Sequence, residues 1–327
     1  LPQAQIARWA KAWRVRRVLL VCDAASGHAR DRMVAELEAL DLAVFLVDQR
    51  GASTVAAIGD GLGAYGFDQC DGVVGLGGAR AIDAAKMIAF MTVQRRTPAE
   101  LAAAPETIDP IGRAPCLAVA TDCTGIGALG GGMLLVDDRG CPVFLRDAAL
   151  RPHAAAYVPD LATPQAEQRG RAELVALTVD TLMAAGSETG EADPMAVRVA
   201  RRLLDPSDTE VVQAALQAAG MLEATLGPAR VLSSVAEVMT GVSPASALAA
   251  LVPRLAAGNP ELRALADGAS ARLPAPMDDA ALATLPLEPL AFVTPEGLPV
   301  DMVSALDRLG REIPARRRRG GRGRRMG

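Results

Sequence analysis

"DGVVGLGGARAIDAAK", residues 71–86, decides how this chain is read. An apolar run leads into Gly75, Gly77 and Gly78, and then into an Ala-rich stretch with helical patterning. Strand, glycine turn and helix, in that order, present backbone N–H groups and a helix N-terminus to a phosphate. On this reading the amides of residues 78–81 hold a pyrophosphate. The alternative is a plain tight turn, with Asp83 and Lys86 pairing at i,i+3. Ala79 and Arg80 stand where such a loop is expected to stay small.

Outward from this stretch, apolar runs and 3.6-residue periods alternate. "RVLLVC" (17–22) and "LAVFLVD" (42–48) read as strands, and residues 29–40 between them as a helix. "STVAAIGDGLGAYG" (53–66) reads as a helix capped by Ser53, and residues 80–92 as another. "APCLAVAT" (114–121) and "GGMLLVD" (131–137) add two more strands. Such alternation means a parallel sheet with helices on both faces. Asp23 ends the first strand, as a loop cap or as a carboxylate for a ribose 2′-OH that favours NAD over NADP. After about residue 165 only helical periods remain, over 172–186, 193–204, 208–227, 232–241, 244–256, 259–272 and 299–310. The expected organisation is an α/β domain over 1–155, a helical domain over 156–312 and a disordered Arg/Gly tail over 313–327. The joint falls near "LRPHAAAYVPDLATP" (150–164), and ligands commonly bind in the cleft between two domains.

Half of the 327 residues are apolar and only 3% aromatic, so the core must be built from Ala, Val, Leu and Ile. No run reaches the roughly 18 apolar residues of a membrane span, and no signal-peptide pattern opens the sequence. Cys22, Cys70, Cys116, Cys123 and Cys141 form no CxxC pair and read as reduced and mostly buried thiols, as in a cytoplasm. The tail "ARRRRGGRGRRMG" (315–327) holds seven Arg and no acid; without them the net charge of −4 becomes −11. Such a tail binds nucleic acid or an acidic partner, or is simply solvated; its lack of aromatics weighs against nucleic acid.

Several segments together resemble the iron-containing, or group III, alcohol dehydrogenase family. "LLVCD" is similar to its first strand ending in Asp, and "CDGVVGLGGARAIDAAKMIA" to its "D…GGGSxxDxxK" signature. "PCLAVATDCTGIGA" is similar to "P…PTTAGTGSE", "AYVPDLAT" to the "DPxL" linker, "VALTVDTLMAA" to "TGxDALTHAxE" and "VSPASALAALVP" to "xPHGxANAxLLP". Order and approximate spacing hold over residues 10–253. The resemblance implies a Rossmann-like dinucleotide-binding domain followed by an all-α domain, the architecture shared with dehydroquinate synthase. It implies NAD(P), with NAD preferred, held by Asp23, Gly77, Gly78, Ala79, Arg80, Asp83, Thr121 and Thr124. Family members begin with a strand before the segment matching residues 1–15 and carry a longer helical domain, so the sequence, opening on Leu1, reads as trimmed at both ends.

The departures bear on chemistry. Family members bind iron or zinc through one Asp and three His. The Asp matches Asp180, but the His positions fall on Ala184, on Pro244, and on Arg230 or Leu232. Only two histidines exist, His28 and His153, both before the helical domain, so a three-His site cannot form and iron or zinc is expected to be absent. Glu188, Glu223 and Glu237 are the other acids considered beside Asp180; an all-oxygen set would suit Mg²⁺ or Mn²⁺. Ala79 replaces the third Gly, Arg80 the Ser, and Asp122 a Thr of the second loop. Arg80 either donates to a phosphate or fills its pocket. Arg230 and His153 are the catalytic candidates, and His28 reads as a loop or helix-start residue. The expected function is a divergent NAD(P)-linked oxidoreductase for a small alcohol or aldehyde, in a homo- or hetero-oligomer. The alternative is an inactive relative serving as a binding or regulatory subunit.

Overall fold

The computed structural model describes residues 3–23, 27–104, 112–121, 125, 128–158 and 228–255, with 175, 176, 178, 198, 263, 264, 267, 268 and 273–278 besides. The helix expectations for 172–186, 193–204, 208–227, 259–272 and 299–310, and the Arg/Gly tail, fall wholly or mostly outside these residues.

Helix α1 (Gln3–Trp13) precedes β1 (Arg17–Asp23), α2 (Gly27–Glu38), β2 (Ala43–Gln49), α3 (Val55–Phe67), β3 (Gly72–Gly77), α4 (Ala79–Met91) and α5 (Pro98–Ala103). Then come β4 (Cys116–Ala120), β5 (Gly132–Val136), β6 (Pro142–Arg146) and β7 (Ala154–Tyr157). Two described helices of the C-terminal half follow, α6 (Pro228–Thr240) and α7 (Pro244–Leu255).

Strands β2, β1, β3, β4 and β7 form one sheet in that order, and every neighbouring pair is parallel. The interior strands are continuous apolar runs because both faces are covered; β3 and β4 are buried at every position. Strand β2 lies at an edge and exposes Ala43, Leu46 and Asp48. One core packs α1 and α2, through Ile6, Trp9, Met33 and Leu37, against Val18, Leu20, Val74 and Leu76. The other packs α3, α4, α5 and the β5–β6 hairpin against Leu19, Val21 and Val73.

Helix α4 is the centre of that second core. All of its residues from Ala81 to Met91 are buried, because the sheet lies on one side and α3, β5 and a 3-10 turn at Ala148–Leu150 on the other. Gly75 lets it approach β3: a Cβ there would stand 2.7 Å from the Ala85 methyl and 3.2 Å from the Ile82 Cα.

Three sequence expectations are corrected. Residues 132–136 form a strand, but it leaves the parallel sheet to pair antiparallel with β6, which the sequence reading missed. The fifth sheet strand is β7, inside the stretch taken for a linker; it runs across the expected boundary at 155, and Val158 still donates to the Ala120 carbonyl. Helix α3 is capped by Thr54, whose hydroxyl accepts from Ala57 N, not by Ser53. Short α5 was also unread, although Thr97 and Glu100 form a reciprocal capping box. Cys22, Cys70 and Cys116 are buried and Cys141 exposed. Burial pushes the Cys116 thiol up to about 12, which makes it unreactive.

Candidate active site

The strand order changes direction between β1 and β3, since β1 leads out to β2 on one side and the chain returns to β3 on the other. In open α/β sheets ligands bind outside the strand C-termini at such a switch point. Asp23 ends β1 here, and Gly77 ends β3. The Gly78 amide donates to Asp23 Oδ2 at 3.0 Å, so the carboxylate spans the switch point. Gly77 has φ +131°, a conformation L-residues rarely adopt, and a Cβ on it would stand 2.5 Å from Asp23 Oδ2. Gly78 is the N-cap of α4 and, being glycine, has no side chain with which to cap it. The dipole of α4 favours an anion at this end, and the Asp23 carboxylate already stands there on the Gly78 amide.

The second loop closes on the same point. Thr121, buried just after β4, donates from its amide to the Gly77 carbonyl at 3.2 Å. A Cβ on Gly125 would stand 2.6 Å from that carbonyl oxygen, so only glycine fits there. Thr124 and Asp122 lie outside the described residues.

Asp83 and Lys86 pair with each other in the interior. Lys86 is 1% exposed, and its Nζ donates to Asp83 Oδ1 at 2.9 Å and to the carbonyls of Ala128 (2.7 Å), Gly130 (3.1 Å) and Gly132 (2.8 Å). Asp83 Oδ2 accepts from Leu134 N at 3.3 Å. The pair clamps the segment leaving the second loop onto α4. These two residues are thus satisfied within the fold, behind the loop mouth.

Arg80 does something different. Its guanidinium donates to the Glu237 carboxylate on α6, across 157 residues of sequence. The Arg80 carbonyl accepts from Ser53 Oγ at 3.1 Å, which ties the helix start to the residue before α3. Ser53 and Glu237 had no such role from sequence; a lone Ser and a lone helical Glu carry no pattern that points to Arg80.

His153 stands at the other end of the sheet. It accepts at Nδ1 from the amide of Cys116, the first residue of β4, at 3.1 Å, and packs edge-on against Trp13. Five residues of parallel strand, roughly 13 Å, separate it from the glycine loop. Burial pushes its imidazole down to about 4, with the Arg113 guanidinium adding to the effect. The unfolded chain then takes up this proton first as pH falls, so the associated stability is fully present above about pH 6.5 and is lost towards about pH 4. His153→Asn keeps an acceptor for the Cys116 amide and removes the titration. The drop in thermal midpoint between about pH 7 and about pH 5 should shrink in this variant; an unchanged drop would show that His153 does not carry it.

Residues 3–159 match the family model for iron-containing alcohol dehydrogenases. That segment is of the iron-containing alcohol dehydrogenase type. Solved structures with the fold include a 1,3-propanediol oxidoreductase, 17% identical, with a TM-score of 0.68 over 95% of this chain and 90% of that one. The NADH-dependent butanol dehydrogenase A of Thermotoga maritima is 13% identical, with a TM-score of 0.64 over 94% and 86%. The maleylacetate reductase of Rhizobium sp. strain MTP-10005 is 20% identical, with a TM-score of 0.65 over 94% and 92%. No curated protein sequence matches the chain.

The metal expected of an iron-containing alcohol dehydrogenase finds no three-His set here. The sequence has two histidines. His28 is exposed on α2, and His153 is engaged at the far end of the sheet. Among the described residues no three His, Cys, Asp or Glu side chains converge. Asp180 lies outside the described residues. Arg230 lies in the first turn of α6, two turns before Glu237, and its side chain is outside the description.

Proposed function

We propose that this chain is an NAD(P)-linked, alcohol dehydrogenase-like oxidoreductase that acts on a small alcohol or aldehyde without the family's Asp/His₃ metal site. The observation that supports it is the loop at the switch point. Gly77, held at φ +131° against the Asp23 carboxylate, and Gly78, the N-cap of α4, put a glycine turn and a helix N-terminus at the mouth of the sheet. A helix N-terminus in this place suits a dinucleotide diphosphate. A nicotinamide cofactor bound there supplies or accepts the hydride.

The protein's own residues hold and orient. We place the diphosphate at the N-terminal end of α4, where Asp23 Oδ2 holds the Gly78 amide. Asp23, at the end of β1, takes a ribose hydroxyl and repels a 2′-phosphate, which favours NAD. Asp83 and Lys86 act behind the mouth, keeping the strand after the second loop in place, and Thr121 secures that loop to Gly77. With no three-His set, an alcohol or aldehyde oxygen needs another partner; Arg230 on α6 is the residue we assign to polarise it. His153 lies at the opposite end of the sheet, bonded to the Cys116 amide, and we assign it no part in the reaction.

Titration of the purified chain with NADH and NADPH, by fluorescence and calorimetry, tests the reading. NADH should saturate and bind more tightly than NADPH. No binding of either at millimolar concentration would overturn it. Metal analysis should find no stoichiometric transition metal; finding one would remove the metal-free part of the proposal.

A further inference from the structure

Arg80 is the second residue of α4, and helical side chains lean towards the N-terminus, so its side chain starts from the end of the helix that follows the glycine loop. Its partner Glu237 comes from α6, in the other half of the chain. The pair therefore brings a carboxylate to the helix end where the dipole favours an anion. Both side chains keep contact with water, at 31% and 28% exposure, and an ion pair this open is weak and exchanges readily. The backbone beneath Arg80 is held: Ser53 Oγ binds its carbonyl, and Asp23 binds the amide of Gly78. Only the side chain needs to move for Arg80 to change partners.

We infer that Glu237 and the cofactor diphosphate compete for the Arg80 guanidinium, so that the Arg80–Glu237 pair is a latch between α4 and α6 that cofactor binding opens. The inference rests on the NAD(P) reading above. A diphosphate offers more charge than a carboxylate and several acceptor oxygens to the planar guanidinium fork. The Ser that the family signature carries at this position offers one hydroxyl and cannot hold a distant Glu by charge. Replacing it with Arg thus exchanges a plain phosphate donor for one that α6 restrains until the ligand arrives. Glu237 acts here through Arg80 and needs no contact with the ligand.

The test is NADH binding to the full chain and three variants, followed by fluorescence. Glu237→Gln weakens the hold on Arg80 and should tighten NADH about three- to fivefold, the scale of an exposed ion pair. Arg80→Met should weaken it by a similar factor. In the Arg80→Met background, Glu237→Gln should change affinity by no more than about twofold, since its effect passes through the guanidinium. Inorganic pyrophosphate, displacing NADH, should follow the same order across the variants. Unchanged thermal midpoints establish that the variants fold, as expected for side chains this exposed. If NADH saturates the parent chain but Glu237→Gln leaves affinity within about twofold, or weakens it, the latch is overturned and the cofactor reading stands. If neither NADH nor NADPH binds the parent chain, the cofactor reading falls and the latch falls with it.

Discussion

Lys86→Met should destabilise the folded chain by about 3–5 kcal/mol, the range for removing one partner of a buried ion pair. The substitution preserves the length and apolar character of the stem, so the loss comes from the ammonium. Asp83, 5% exposed, would keep its charge in the interior without its cation, and the carbonyls of Ala128, Gly130 and Gly132 would each lose a donor. A buried acceptor left unsatisfied carries its own desolvation cost, which is why the sum exceeds that of an ordinary hydrogen bond. Thermal or denaturant unfolding measures the loss directly. Adding Asp83→Asn to Lys86→Met should recover part of it, because the stranded charge is then gone while the three carbonyls remain. A loss below about 1 kcal/mol for Lys86→Met would show that the clamp does not hold the segment after the second loop.

Gly77→Ala should act on both stability and cofactor binding. A φ of +131° costs an L-residue about 1–3 kcal/mol. The new methyl would also stand 2.5 Å from Asp23 Oδ2, so the carboxylate must turn away and release the Gly78 amide. NADH affinity should fall by more than about tenfold, since the turn and the Asp23 carboxylate that we propose for the ribose are disturbed together. Combining Gly77→Ala with Asp23→Ala should relieve the clash but not the backbone strain. The double variant should therefore be more stable than Gly77→Ala and bind NADH no better. Wild-type affinity in Gly77→Ala would remove the glycine turn from the binding site.

The α/β half was largely legible because its signals are local. Strands with both faces covered read as unbroken apolar runs, and "RVLLVC" and "DGVVGL" fall on β1 and β3. Met33 and Leu37, spaced for one helix face, are buried on α2. The glycine loop was found from composition and order alone, and the family match over residues 3–159 supports the resemblance its motifs suggested. Partner choice was not legible. "GGMLLVD" looks like any buried strand, and nothing in it says that β5 turns to pair with β6. "AAAY" is too short and too Ala-rich to read as a strand, yet β4 supplies the parallel neighbour that makes it one. Asp83 and Lys86 fit a pair or a phosphate site equally well at i,i+3; the three carbonyls that complete the clamp come from more than forty residues away. Arg80 was marked as odd from sequence, but its partner on α6 is a matter of tertiary structure.

The encasement of α4 has a thermodynamic consequence for the loop that it begins. A helix buried on all sides from Ala81 to Met91 cannot slide or tilt without opening the core around it. Its amides should therefore exchange with solvent only in global unfolding, alongside those of β3. The Gly77–Gly78 turn inherits that immobility, being tied to α4 on one side and to Asp23 on the other. The entropy of ordering the turn is lost when the chain folds, and none of it remains to be lost when a ligand arrives. Binding then costs order in the groups that still move, and among the described residues at this mouth the side chain of Arg80 is one of them.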